Sequence, residues 1–227
     1  MFSVFSVVIL LILLLLWLGW RRVGARYNEV DWGGPTINRV DGFLRWFCRR
    51  YHRLDAEPIS VPATGAALVV ANHVSGLDPF LLIAASRRPL RFIIAKEQYR
   101  RPIVNAMFSA AGCIPVDRTQ RPERAFREAL RALAAGEVVA LFPHGTIHTD
   151  AEPQRALKKG VARLAQLADC PVFSVRIEGI KGKGHVVRGV LRRSDARLIG
   201  SSPINCHELT SGDCLQYISQ HIEPHRY

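Results

Sequence analysis

Residues 66–80 read Ala-Ala-Leu-Val-Val-Ala-Asn-His-Val-Ser-Gly-Leu-Asp-Pro-Phe. The apolar run that ends at Val70 has the length and valine content of a buried strand. Asp78-Pro79 suits the cap and first position of a helix, and Gly76 lets the intervening turn close. His73 and Asp78 are therefore expected to face each other across a strand-to-helix turn. A carboxylate on one imidazole nitrogen fixes the tautomer and leaves the other nitrogen as an acceptor, the geometry of an oriented general base. The plainer reading is a helix cap at Asp78 and a histidine satisfied in the core.

Outward from this stretch, short apolar runs alternate with helical patterns. Strands are predicted at 66–71, 91–95, 113–116, 137–142 and 171–177, and helices at 79–86, 102–110, 122–135 and 154–168. Gly136 follows the third of these helices as a C′ glycine would. Such alternation predicts an α/β fold with a sheet covered by helices. Val186, Val187, Val190 and Leu191 suggest one more strand pair, and the stretch from about His207 to His221 a short final helix.

The amino-terminal region is different. Residues 2–20 are apolar except for Ser3, Ser6 and Gly19. As a helix they would reach roughly 28 Å, about the hydrocarbon thickness of a bilayer. Arg21, Arg22 and Arg26 follow at once, which predicts a single span with the body on the cytoplasmic side. Residues 28–37, with Gly33-Gly34-Pro35, read as a linker. Residues 40–54 place Phe43, Leu44, Phe47, Tyr51 and Leu54 near helical spacing among Arg45, Arg49, Arg50 and Arg53. That is an amphipathic basic helix, lying either in an anionic interface or against the domain with its arginines solvated. The expected division is 1–27 anchor and basic flank, 28–62 linker and amphipathic helix, and 63–227 catalytic domain.

Net charge is +12, which points to an anionic partner surface, either acidic lipid or nucleic acid. The five cysteines are scattered, with no C-x-x-C pair. Neither a disulfide framework nor a zinc site is indicated, and free thiols are expected. His144 and His148 lie four apart, but a helix through Gly145-Thr146 is disfavoured and H-E-x-x-H is missing, so no metal is expected. There is no G-x-S-x-G nucleophile elbow either.

Asn72-His73, four residues, then Asp78-Pro79 resembles the first block of the glycerolipid acyltransferase family, the 1-acylglycerol-3-phosphate acyltransferases. Three further blocks follow in that family's order: Gly-Cys-Ile-Pro-Val-Asp-Arg (112–118), Leu-Phe-Pro-His-Gly-Thr (141–146) and Cys-Pro-Val-Phe-Ser-Val-Arg-Ile (170–177). The resemblance implies direct acyl transfer from an acyl-CoA or acyl carrier protein thioester to a lysolipid hydroxyl. It implies no acyl-enzyme, cofactor or nucleic acid, and a membrane with anionic lipid as partner. His73 would be the base and Asp78 its orienter. Asn72, Arg118, His144, Gly145, Thr146 and Lys159 would contact substrate. The third block departs from the family's Phe-Pro-Glu-Gly-Thr-Arg: His144 stands for glutamate and Ile147 for arginine. That loss of a cation leaves lysophosphatidic acid the first choice of acceptor and a different lysolipid the alternative. Two readings from other classes are a non-catalytic basic membrane or nucleic-acid binding module and a thioesterase or lipid hydrolase.

Overall fold

The computed structural model describes residues 4–100, 102–118, 122–149, 153 and 155–223. Phe2 and Ser3 of the apolar run and Gln154 of the fourth predicted helix lie outside the described residues. The chain opens with helices α1 (Val4–Tyr27) and α2 (Pro35–Trp46), the latter continuing as a π-helical turn, Phe47–Tyr51. Strands β1 (Asp55–Ala56) and β2 (Ala67–Ala71), helix α3 (Asp78–Ala85) and β3 (Leu90–Ala95) follow. Next come α4 (Lys96–Tyr99), α5 (Pro102–Ala110), β4 (Ile114–Val116), α6 (Pro122–Ala134) and β5 (Val138–Leu141). The last part holds α7 (Gly160–Ala168), β6 (Pro171–Glu178), α8 (Val186–Leu191), β7 (Arg197–Gly200), β8 (Ile204–Asn205) and α9 (Ser211–Ile222).

The strands form one mixed sheet in the order β1-β7-β6-β2-β5-β3-β4, with β8 also paired to β6. The central strands β6, β2, β5, β3 and β4 run parallel, while β7 and β8 run antiparallel to β6. All five residues of β2 are buried, as a strand covered on both faces requires. Its side chains alternate between two cores. Val69 and Ala71 join Phe92, Ala140, Val175 and helix α3, whereas Leu68 and Val70 join Val139, Val172 and helices α6, α7 and α9. Helices thus cover both faces, and the carboxyl ends of the parallel strands open at one edge.

Four expectations change. Residues 186–191 form a helix, not a strand pair, because Val186 and Val190 turn inward at helical spacing while Gly189 sits against Ser75. The predicted helix at 154–168 begins only at Gly160, because the Lys158 amide donates to Pro143 O (3.2 Å) across the fold. The cysteines are not all free. The short 3-10 turn before α9 brings the Cα atoms of Cys206 and Cys214 within 5.4 Å, and they form a disulfide. Cys48, Cys113 and Cys170 are free and buried. Finally, one of the arginines in 40–54 is neither solvated nor laid on an interface. Arg45 is buried, its Nε bonding Asp41 (2.7 Å) and its two Nη atoms donating to Ala84 O and Ser86 O at the carboxyl end of α3. Arg49 pairs with Glu29 and holds that carboxyl below the usual carboxylate range. The basic helix is therefore pinned to the domain, and Phe43, Phe47 and Tyr51 stack along it four residues apart.

Candidate active site

The turn after β2 is built around one carboxylate. Asp78 is fully buried at the start of α3. Its Oδ2 accepts from His73 Nδ1 (2.8 Å), Val74 N (2.6 Å) and Ser75 N (2.8 Å), and its Oδ1 accepts from Ser75 Oγ (2.8 Å). It does not cap its own helix. Its donors come from the preceding turn, and the amino-terminal end of α3 adds a favourable dipole. Four donors on one carboxylate are what a buried charge needs. With Nδ1–H held by Asp78, the lone pair of the neutral ring lies on Nε2. The imidazole stacks on Phe142 at 4.2 Å and 15°, which fixes its plane.

Gly76 closes the turn for a reason other than backbone freedom. A Cβ there would lie 2.5 Å from Val186 O. Helix α8 is laid across the turn, tied by Gly184 N to Val74 O (2.8 Å). The third block approaches from β5. Phe142-Pro143-His144-Gly145 is a tight turn, with Gly145 N donating to Phe142 O (2.9 Å) and Gly145 at φ +77°. The backbone N of His148, two residues past the third block, donates to His73 O (2.7 Å) and so ties that segment to the first block.

These residues border a cavity of about 610 Å³, within the range of small-molecule sites. His73, Phe142, Gly145, Thr146, Ile147 and Arg118 line it. The remaining walls are mostly apolar and come from Phe80 and Ile83 of α3, Met107 and Phe108 of α5, Val186 and Val190 of α8, and Ile37, Val40 and Leu44 of α2. The contribution of α2 has a sequence signal, the spacing 37, 40, 44, within a stretch read as linker and amphipathic basic helix.

The other expected contacts are distributed unevenly. Asn72 is buried and spends its amide on the sheet, donating to Ile177 O (3.0 Å) and accepting from Ile177 N (2.7 Å). His144 turns away from the cavity. Its ring is buried, 5.0 Å from that of His148, with Nε2 3.5 Å from Glu223 Oε1. Burial first, and then His148, hold it below the ordinary histidine range. Lys159 is exposed at the start of α7 and lies outside the cavity lining. Lys96 bonds Asp117 (2.9 Å).

Two cations stand at this turn, Arg155 outside the motif reading and Lys158 within the family-like stretch Lys158-Lys159-Gly160. Arg155 Nη1 donates to Thr146 Oγ1 (3.0 Å). Lys158 lies against Gly145, with its Nζ 2.6 Å from where a Cβ would be. The Lys158 amine is lowered by burial and then by the nearby Arg118 and Arg155 guanidiniums. Nothing in the spacing of Arg155 marks it; only the return of the chain over Pro143 brings it to Thr146.

A family model described as Acyltransferase matches residues 55–178. The chain is 34% identical over 138 residues to an uncharacterized protein of Mycobacterium leprae (55% of this chain, 35% of that one). It is 32% identical over 132 residues to N-acylphosphatidylethanolamine synthase of Arabidopsis thaliana (54% and 44%). The chain thus spans less than half the length of these two curated relatives. The crystal structure of the 1-acyl-sn-glycerophosphate acyltransferase from Thermotoga maritima superposes with a TM-score of 0.66, at 22% identity, over 82% of this chain and 78% of that one, a likeness of fold. With its sheet, its strand-to-helix turn and more than half its length matched, this chain belongs to the Acyltransferase family.

Proposed function

We propose that this protein is a membrane-anchored O-acyltransferase that moves a fatty acyl group from an acyl-CoA or acyl carrier protein thioester to the hydroxyl of a lysolipid, with 1-acylglycerol-3-phosphate as acceptor. The observation that carries this is the His73–Asp78 pair opening on an apolar cavity with cations beside it. His73 Nε2 takes the proton as the acceptor oxygen attacks the thioester carbonyl, Asp78 stabilising the imidazolium. Collapse of the tetrahedral species expels the thiolate, which takes the proton back from Nε2. No enzyme nucleophile takes part. Ser75 Oγ is buried and committed to Asp78, and burial pushes the Cys113 thiol up to about 11. The apolar walls suit an acyl chain. Arg118, Lys158 and Arg155 supply the positive charge that Ile147 does not, in the fork and point-charge forms that suit a phosphate. The apolar run of α1 and Arg21, Arg22 and Arg26 near its carboxyl end support a single span with the domain on the cytoplasmic side.

The test is acyl transfer by purified, detergent-solubilised protein, with each thioester and a series of lysolipids. His73→Ala should lower the rate by about 10²–10⁴ while leaving the fold intact. A folded His73→Ala protein with full turnover would sink the mechanism. Release of free fatty acid without an acceptor would instead indicate a hydrolase. Arg155→Gln/Lys158→Gln should raise KM for lysophosphatidic acid about a hundredfold or more, since charge-assisted bonds are worth about 1.5–3 kcal/mol each and about 1.4 kcal/mol is tenfold. Ile147 and the likeness to an N-acylphosphatidylethanolamine synthase favour a second reading, an acceptor whose phosphate is a diester. Preference for such a lipid, unchanged by the double substitution, would select it.

A further inference from the structure

Helix α8 and the residues around it form a surface that acyl transfer does not explain. The inward side of α8 serves the site: Val186 and Val190 line the cavity, and Gly189 rests on Ser75. The outward side is apolar without a cover. Val187 and Leu191, four residues apart and so on one helix face, are 62% and 66% exposed. Tyr51 stands beside them, its hydroxyl donating to Leu191 O (2.7 Å). The stretch 181–193, Lys-Gly-Lys-Gly-His-Val-Val-Arg-Gly-Val-Leu-Arg-Arg, has no acidic residue. Its Lys181, Lys183, Arg188, Arg192 and Arg193 are exposed, as is Arg50 next to Tyr51. Exposed aliphatics ringed by basic side chains with long apolar stems match the boundary between acyl chains and anionic headgroups.

We infer that α8 and Tyr51 dock on the surface of an anionic lipid bilayer, Val187 and Leu191 entering its headgroup boundary and the surrounding arginines and lysines meeting lipid phosphates. Two features select a bilayer over a protein partner. No acidic residue stands within 181–193, Asp195 pairing with Lys181 (3.6 Å) only at one margin, and a bilayer offers the opposite sign everywhere. The surface is also continuous with the apolar helix: Tyr51 ends the π-helical extension of α2, and α2 crosses α1 so closely that a Cβ on Gly42 would lie 1.9 Å from Gly24 O. Docked in this way, the roof of the cavity touches the membrane, and a lysolipid passes beneath it without entering water. This passage rests on the proposed lipid acceptor; the docking does not.

The full chain, reconstituted in phosphatidylcholine vesicles with and without phosphatidylglycerol, provides the test. Single cysteines at Val187→Cys and Leu191→Cys accept a fluorophore selectively, because Cys48, Cys113 and Cys170 are buried and Cys206 is bonded to Cys214. Leu167→Cys on α7, 59% exposed in the native protein, is the control. Quenching by brominated lipid should be severalfold stronger at 187 and 191 than at 167, and should weaken without phosphatidylglycerol or at raised salt. Equal quenching at all three positions would overturn the docking, whether solvent or a protein covers the face. A second arm uses Val187→Asp/Leu191→Asp. It should raise KM for vesicle-borne lysolipid about tenfold and leave turnover of a detergent-dispersed acceptor unchanged. An unchanged KM on vesicles would count against the docking. If quenching is seen but no acyl transfer, the proposed function fails and the docking stands.

Discussion

At the scale of single residues, two histidines of this chain have opposite surroundings. His73 is part exposed, held at Nδ1 by a carboxylate and stacked on Phe142. His144 is buried with Glu223 only at 3.5 Å, and it faces His148 and Arg155, both of which oppose its charge if protonated. The linkage sign follows from that burial. In the unfolded chain His144 binds a proton near about pH 6.5, whereas the folded protein resists protonation until lower pH. Between those two points the unfolded state holds more protons, so stability falls as pH falls and is fully present above the unfolded value. His52, also lowered by burial, adds in the same direction. Tm should therefore decline as pH falls below about 6.5, and His144→Gln should make the decline shallower. Equal slopes in the two proteins would show that His144 does not carry it.

At the scale of elements, the close approach of α8 to the turn after β2 depends on Gly76. A methyl there meets the backbone of Val186, at 2.5 Å from its O and 2.8 Å from its Cα, and backbone does not yield as a side-chain tip would. Gly76→Ala should cost about 1–3 kcal/mol, as overpacking does, and should displace the roof of the cavity with loss of activity. Gly160→Ala is the control, because a Cβ at Gly160 meets nothing within 4 Å. Denaturant unfolding of the two variants separates the cases; matching losses would deny the crossing its role. Arg45 works at the same scale. Its guanidinium bonds the carbonyls of Ala84 and Ser86, so α2 closes the open end of α3, the helix that carries Asp78.

For the whole molecule, the division of labour is between a sheet buried on both faces and a helix buried on neither. The segment Phe5–Tyr27 is long and apolar enough to cross a membrane, and only 6% of its most apolar window is buried. Contact with α2 is made by the end of α1, at Gly24. Removing residues 1–20 therefore takes away exposed apolar surface and spares that crossing. The truncated protein should keep its fold. It should leave the membrane fraction on washing with raised salt, because what remains is charge attraction and the shallow entry of Val187 and Leu191, whereas the full chain should need detergent. Detergent-dependent extraction of the truncated form would place the anchor elsewhere.

The sequence by itself determined what is local and periodic. The strand ending at Ala71, the β-α alternation and the His73–Asp78 contact were legible because buried strands are short apolar runs and a five-residue turn leaves little choice of partner. The apolar helix was legible for the same reason. Tertiary structure alone decided what depends on chain return. Arg155 meets Thr146 because Lys158 returns to bond Pro143, Arg45 is buried because α3 presents its open carbonyls to it, and Val186–Leu191 is helical despite its β-branched residues because one face must fit over Ser75 and Gly76. Cys206 and Cys214 pair because the 3-10 turn before α9 brings their Cα atoms within 5.4 Å. In each case the deciding energy is a contact between segments far apart or a bend whose sense no spacing encodes, and residue patterns report only the preferences of the segment itself.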